Sequence, residues 1–217
     1  MKSTSEMKPT VSEREVGMEL LNIGLASSAD AFSSTIGEKV LINKLKFNYR
    51  SNSRHFRFPK LEGKESLVIK SDIKGDIPGV CFLVFDSLSV DSLGRRALPP
   101  SMRDLPEEEI PGMREEMLVE LDNILTASVV SQLANYFKAS MYGAVPRKQR
   151  MSAVEVESLL KREGRKFRPN VMVSTQFYTA TMPVGPSFIW MFQYEFIDAI
   201  KRLTQNKGVY ALEKSIA

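Results

Sequence analysis

The chain has 217 residues, 43% hydrophobic and 26% charged, with a formal net charge of +4. This is the balance of an ordinary globular protein with a sizeable core, and no apolar run approaches the ~20 residues of a membrane-spanning helix. One histidine and one cysteine exclude an internal disulfide and a zinc site built on His and Cys, and the absence of GxxxxGK[ST], GxGxxG and GxSxG patterns leaves nucleotide binding and serine-triad hydrolysis without support.

The opening residues, "MKSTSEMKPTVSEREV", lack the apolar centre of a secretory signal. Together with the lone Cys81, an inert core thiol in "GVCFLVF", they point to a reducing, cytoplasmic setting. Ser12 is the expected N-cap of a helix over residues 12–36, with Glu13 and Glu15 in its first turn. Leu21, Leu25 and Phe32 form its apolar stripe and Gly37 its stop. "KVLINKLKFNY" reads as one strand, and the polar, basic stretch through Lys64 reads as a loop or edge hairpin carrying His55. "ESLVIKSDI" and "GVCFLVFD" are two strands separated by turn-forming "KGDIP", and "SVDSLGRRALPP" is a short helix running into a proline-rich linker.

The second half replays this order. A helix is expected over 113–140, with Leu118, Leu121, Leu125, Val129 and Tyr136 on one side. "NVMVSTQFYTA" and "PSFIWMFQYEF" are strands, the unalternating "FIWMF" being buried on both faces. "EFIDAIKRLTQNKG" closes the chain as a helix ending at Gly208. Charge is unevenly placed: residues 44–74 carry nine Lys or Arg against three acids, 147–168 carry eight against three, and 104–122 hold eight acids. Such blocks steer an acidic partner, but the basic stretches lack the interleaved aromatics of a single-strand binder, so nucleic acid is not expected.

The two halves share more than element order. "ELLNIGLAS" at 19–27 and "ELDNILTAS" at 120–128 agree at six of nine positions, and every match falls at an offset of 101. The expected architecture is therefore a single α/β (α+β) domain with an internal pseudo-two-fold, antiparallel strands packed with long helices, and repeats at about 12–98 and 113–205. In each copy Glu and Asn stand three apart, so Glu19 and Asn22, and Glu120 and Asn123, project side by side from one helix face. Small residues continue that face: Ala26 and Ser33, then Ala127 and Ala134. Asn cannot be a general base, but its amide both donates and accepts hydrogen bonds and can orient a water at a phosphoryl centre. Glu can pair with a partner's lysine. With no metal ligands and no phosphate cradle nearby, such a pair makes chemical sense only when inserted into another protein's active site.

The pattern resembles the CheC/CheX/FliY family of chemotaxis phosphatases, whose motif is an Asp or Ser, then ExxN, then a Pro after 22 residues. Pro146 follows Asn123 at that spacing, whereas the first copy has Leu45 there, and the leading positions hold Glu15 and Glu116. The resemblance implies a protein of two-component signalling that removes the phosphoryl group from the aspartyl phosphate of a CheY-like response regulator. The regulator would supply the Mg²⁺, so this chain needs no cofactor or metal of its own. It further implies that Asn123 and Asn22 orient the attacking water and that Glu120 and Glu19 bind the regulator's lysine. Glu116 and Glu15 would contribute to partner binding, and Pro146 would support the local backbone, with the second site the stronger. The competing expectation is a non-catalytic adaptor docking a response regulator, a chemotaxis deamidase or a motor-switch component. Membrane insertion is expected in neither case.

Overall fold

The computed structural model describes residues 9–43, 45–50, 65–99, 102, 106, 108, 110–166, 170–181 and 185–205. The expected basic loop with His55, and the helix end at Gly208, lie outside these residues. The first half contains α1 (Val11–Ile36), β1 (Leu41–Ile42), β2 (Lys46–Arg50), β3 (Ser66–Gly75), β4 (Gly79–Asp86) and α2 (Ser87–Ala97). The second contains α3 (Ile110–Phe137), β5 (Met141–Gly143), β6 (Arg147–Met151), α4 (Ala153–Lys166), β7 (Asn170–Tyr178), β8 (Ser187–Phe192) and α5 (Tyr194–Gln205).

Helix α1 starts earlier than expected. Thr10, not Ser12, is the N-cap: its hydroxyl accepts from the Glu13 N–H at 3.2 Å while the Thr10 N–H donates to Glu13 Oε2 at 2.7 Å. This reciprocal pairing satisfies two backbone or side-chain groups at once, which Ser12, already inside the helix, cannot do. Gly37 ends α1 as expected, at φ 69°, a left-handed conformation that favours glycine, with its N–H on Ser33 O at 2.9 Å.

Among the described residues the strands form an eight-stranded antiparallel sheet in the order β1-β7-β8-β4-β3-β5, with β2 also pairing β7 and β6 also pairing β3. Exchanging β1 with β5, β2 with β6, β3 with β7 and β4 with β8 leaves this pairing scheme unchanged. The expected single strand "KVLINKLKFNY" is broken in two. Ile42 faces Phe177 and Lys46 faces Ser174, a step of four positions along one chain against three along the other, which is a bulge.

Side-chain alternation divides the sheet into two faces. Leu67, Ile69, Ile73, Cys81, Leu83, Phe85, Phe188, Trp190 and Phe192 join α1, α2, α3 and α5 in the larger core. Val68, Val80, Phe82, Val84, Met172, Ile189 and Met191 face α4. All six residues of β8 are buried, as its unbroken apolar run requires. Each large side chain so enclosed contributes roughly 1.5–3 kcal/mol.

Helix α4 was not expected from the sequence, where its basic residues read as a charged stretch. Its signal was present: Ser152 and Glu155 make a second reciprocal cap, ahead of Val156, Leu159 and Leu160.

Candidate functional site

Helices α1 and α3 lie on the same face of the sheet and pack on each other through small residues. A Cβ placed on Gly24 would stand 3.3 Å from Val129 Cγ1 and 3.4 Å from its Cα, and the Ser28 hydroxyl donates to Leu125 O at 2.9 Å. Pairing 24 with 129 and 28 with 125 makes the helices antiparallel through this contact. The two Glu–Asn pairs, each N-terminal to the contact on its own helix, therefore fall on opposite sides of it. At 1.5 Å per residue the two asparagines are roughly 12 Å apart along the axes and the midpoints of the two pairs roughly 16 Å.

The pairs themselves are accessible. Glu120 and Asn123 are exposed, as is Glu19, while Asn22 is half-buried. Ala26 and Ala127 are exposed on the same helices, and Ser33 and Ala134 are half-buried. The buried positions of α3 are instead Leu118, Leu121, Asp122, Leu125, Thr126, Val129, Val130 and Leu133. No side-chain hydrogen bond or ion pair ties Glu19, Asn22, Glu120 or Asn123 to another described residue.

The surroundings of the two pairs differ. Beside the second pair, the edge strand β6 presents Lys148 and Arg150 to the first turns of α3. Lys148 donates to Glu116 at 2.7 Å and lies 3.3 Å from Glu115, while Arg150 Nε donates to Glu115 at 2.7 Å. Partial burial pulls the Lys148 pKa down, but its hydrogen bonds to Glu116 and Glu115 outweigh this and raise it overall. Glu116 is thus held back against its own protein. In the first copy the position of Lys148 is taken by Phe47, buried at 3% exposure, and Glu15 is exposed. There Arg14 lies over the Phe47 ring at 5.8 Å and donates to Phe47 O at 3.0 Å.

Pro146 sits in the second bulge of the sheet. Gly143 faces Ile73 and Arg147 faces Lys70, so residues 144–146 stand opposite Ser71 and Asp72. Proline lacks an N–H for the ladder, and a bulge on an edge strand is a place that tolerates this. The bulge is bracketed by Gly143, against Thr126, and Lys148, against Glu116, which sets it alongside the turn of α3 that carries Glu120 and Asn123. Leu45 occupies the corresponding bulge of the first half but is a buried core residue at 6% exposure.

Sequence reading missed two parts of this arrangement. One is the basic strand β6 as a partner of α3. The other is Asp122, fully buried and bonded to Ser71. Its signal was an aspartate standing among the leucines of an apolar stripe.

No protein-family model matches the sequence, and no curated protein matches it at the sequence level. Solved structures do match. FliY of Thermotoga maritima superposes with a TM-score of 0.65 at 16% identity, over 91% of this chain and 98% of that one. CheX of Borrelia burgdorferi, from a CheX-CheY-BeF3-Mg²⁺ complex, has a TM-score of 0.51 at 11% identity, covering 81% of this chain and 97% of that one. The chain has the fold of the CheX and FliY chemotaxis proteins. The FliM middle domain of Vibrio alginolyticus also matches, with a TM-score of 0.50 at 12% identity over 86% of this chain and 99% of that one. None of the helices among the described residues is long and apolar enough to cross a membrane.

Proposed function

We propose that this chain is a phosphatase for the aspartyl phosphate of a CheY-like receiver domain, acting mainly through Glu120 and Asn123. The observation that carries the reading is the exposure of this pair, free of partners within the described chain, on a helix whose neighbouring Glu116 is held back by Lys148. Inserted beside a phospho-aspartate, the Asn123 amide accepts from the attacking water and donates to a phosphoryl oxygen, fixing the water in line. Water adds to phosphorus as the acyl-phosphate P–O bond breaks, inorganic phosphate leaves, and the receiver recovers its carboxylate. Glu120 pairs with a lysine of the receiver and sets the docking register. The Mg²⁺ that neutralises phosphoryl charge is the receiver's, and this chain contributes no ligand to it.

Pro146 keeps the edge-strand bulge beside this turn of α3 in shape and takes no part in the chemistry. Glu19 and Asn22 form the weaker second copy, because Asn22 is half-buried and Leu45 stands where the proline would be. The two sites reflect duplication of a unit spanning about 12–98 and 113–205. The matching lengths of β2 and β6, starting at 46 and 147, support this with the same separation of 101 as the helix strings.

The likeness to the FliM middle domain favours a second reading, a non-catalytic adaptor that docks a receiver or a motor-switch component. The two are separated by following the decay of phosphorylated receiver domains from the same genome, in Mg²⁺, with and without this protein. A phosphatase accelerates the decay catalytically. An adaptor binds and leaves the decay unchanged.

A further inference from the structure

We propose that Asp122 is a positioning residue of the second site: its buried carboxyl, held by the Ser71 hydroxyl beside Cys81 and Thr126, fixes the rotation of α3 on the sheet and hence the direction of Glu120 and Asn123. The inference rests on the reading that this pair acts on a receiver.

Asp122 has no exposed side-chain surface, and its Oδ2 accepts from Ser71 Oγ at 2.6 Å. Oδ1 is buried without a hydrogen-bond partner among the described residues. One turn further along α3, Thr126 Oγ1 lies 3.1 Å from Cys81 Sγ on β4. At the same positions of the first copy, 101 residues earlier, stand Leu21 and Leu25, both buried. Leucine therefore fits this helix-to-sheet contact, and packing alone does not call for a carboxylic acid here. What the acid adds is direction. Apolar contacts tolerate small rotations, whereas a hydrogen bond weakens steeply as its angle departs from linear.

The lever is short. At 100° per residue, Asn123 lies about 100° and Glu120 about 160° around the helix from Asp122. A side-chain group roughly 6 Å from the axis moves about 1 Å for a 10° rotation of the helix. A misplacement of that size costs about 100-fold in a reaction that depends on near-attack geometry. The anchor also meets the proline bulge, since residues 144–146 stand opposite Ser71 and Asp72.

The titratable group facing Asp122 is the Cys81 thiol on β4; β3 offers the Ser71 hydroxyl and α3 the Thr126 hydroxyl. The charged neighbours of Ser71 point to the opposite face, Lys70 to Glu163 of α4 and Asp72 to Arg147 of β6. Burial raises the Asp122 pKa from 3.8 to about 7, opposed only by the Ser71 hydrogen bond. The unfolded chain gives up this proton near 3.8. The associated stability is therefore complete below that pH and is lost as pH rises to about 7.

The test follows the Asn123 side-chain amide by proton–nitrogen NMR on the isolated protein from pH 5.5 to 8.5, in wild type, Asp122→Asn, Asp122→Leu and Ser71→Ala. The proposal expects the Asn123 amide to titrate with a midpoint near 7, the Asn22 amide to stay still, and Asp122→Asn to abolish the titration. It also expects urea stability to fall between pH 5.5 and 7.5 in wild type and to be flat in Asp122→Asn, which retains the shape of the side chain should Asp122→Leu not fold. With a phosphorylated receiver, Ser71→Ala and Asp122→Leu, which break the Ser71 hydrogen bond, should lower the single-turnover rate at least tenfold with an unchanged docking Kd, whereas Asp122→Asn, whose amide oxygen still accepts from Ser71, should largely keep it. An Asn123 amide indifferent to pH and to these substitutions overturns the proposal, whatever the phosphatase assay shows. A titrating amide with no phosphatase activity leaves the positioning intact and removes the phosphatase reading alone.

Discussion

Replacing Gly24 by leucine tests the helix contact that spaces the two sites. A single added carbon already meets Val129 at 3.3 Å on its side chain and 3.4 Å on its backbone Cα. Alanine therefore gains about 1 kcal/mol of helix propensity and loses a similar amount to crowding, for a net change near zero. Leucine sends three further carbons through Val129, which the rigid α3 backbone prevents from yielding. Overpacking of this kind costs about 1–3 kcal/mol and occasionally more, and leucine recovers up to about 0.8 kcal/mol in propensity. The expected net loss is roughly 1–2 kcal/mol, or about 2–8 °C in Tm for a chain of this size. Thermal unfolding followed by circular dichroism on wild type, Gly24→Ala and Gly24→Leu supplies the measurement. If Gly24→Leu unfolds within 1 °C of wild type, α1 and α3 do not touch at this point and the spacing of the two Glu–Asn pairs is wrong.

Thr10→Ala removes the cap of α1 and should lower stability by about 1 kcal/mol, read by urea titration, whereas Ser12→Ala should be nearly neutral. Lys148→Ala should change stability by no more than about 1 kcal/mol, because its pairs are partly solvated. It should nevertheless weaken receiver docking several-fold at low salt, since Glu116 and Glu115 are left uncompensated beside the docking turn; an unchanged Kd at 50 mM salt would contradict this. Glu120→Ala should raise the docking Kd on the order of tenfold, with the difference shrinking in 0.5 M salt because a charge pair is being removed. A salt-independent loss would mean that Glu120 acts by packing.

The parts of the fold legible in the sequence were those with one dominant signal. The strands at β3 and β4 were marked by apolar runs about a "KGDIP" turn, and β8 by five large apolar residues in succession. The two long helices were given by the repeated string, which also named the accessible pairs. Legibility failed where two signals competed. In α4 the run "KREGRK" outweighed a reciprocal cap and three apolar residues. In "KVLINKLKFNY" a continuous strand pattern concealed an extra residue, because a bulge is a property of the pairing partner and not of the strand alone. Asp122 was passed over because its neighbours in the string were matched while it was not. The mismatch with Leu21 was itself the informative feature, and only the third dimension showed that it meets Ser71. The opposition of Lys148 and Glu116, 32 residues apart, likewise depends on the register of β6 on β3.

Asn123 is the residue proposed to orient water at a receiver's phospho-aspartate. Single-turnover dephosphorylation at saturating protein tests this role most directly, comparing wild type with Asn123→Ala and Asn22→Ala. Asn123→Ala should lose roughly 10²–10³ in rate, the scale of removing one transition-state hydrogen-bond donor, with docking nearly unchanged. Asn22→Ala should lose much less, since its side chain is half-buried and its bulge carries Leu45. Equal and negligible effects of both substitutions would contradict the claim and leave the adaptor reading in its place.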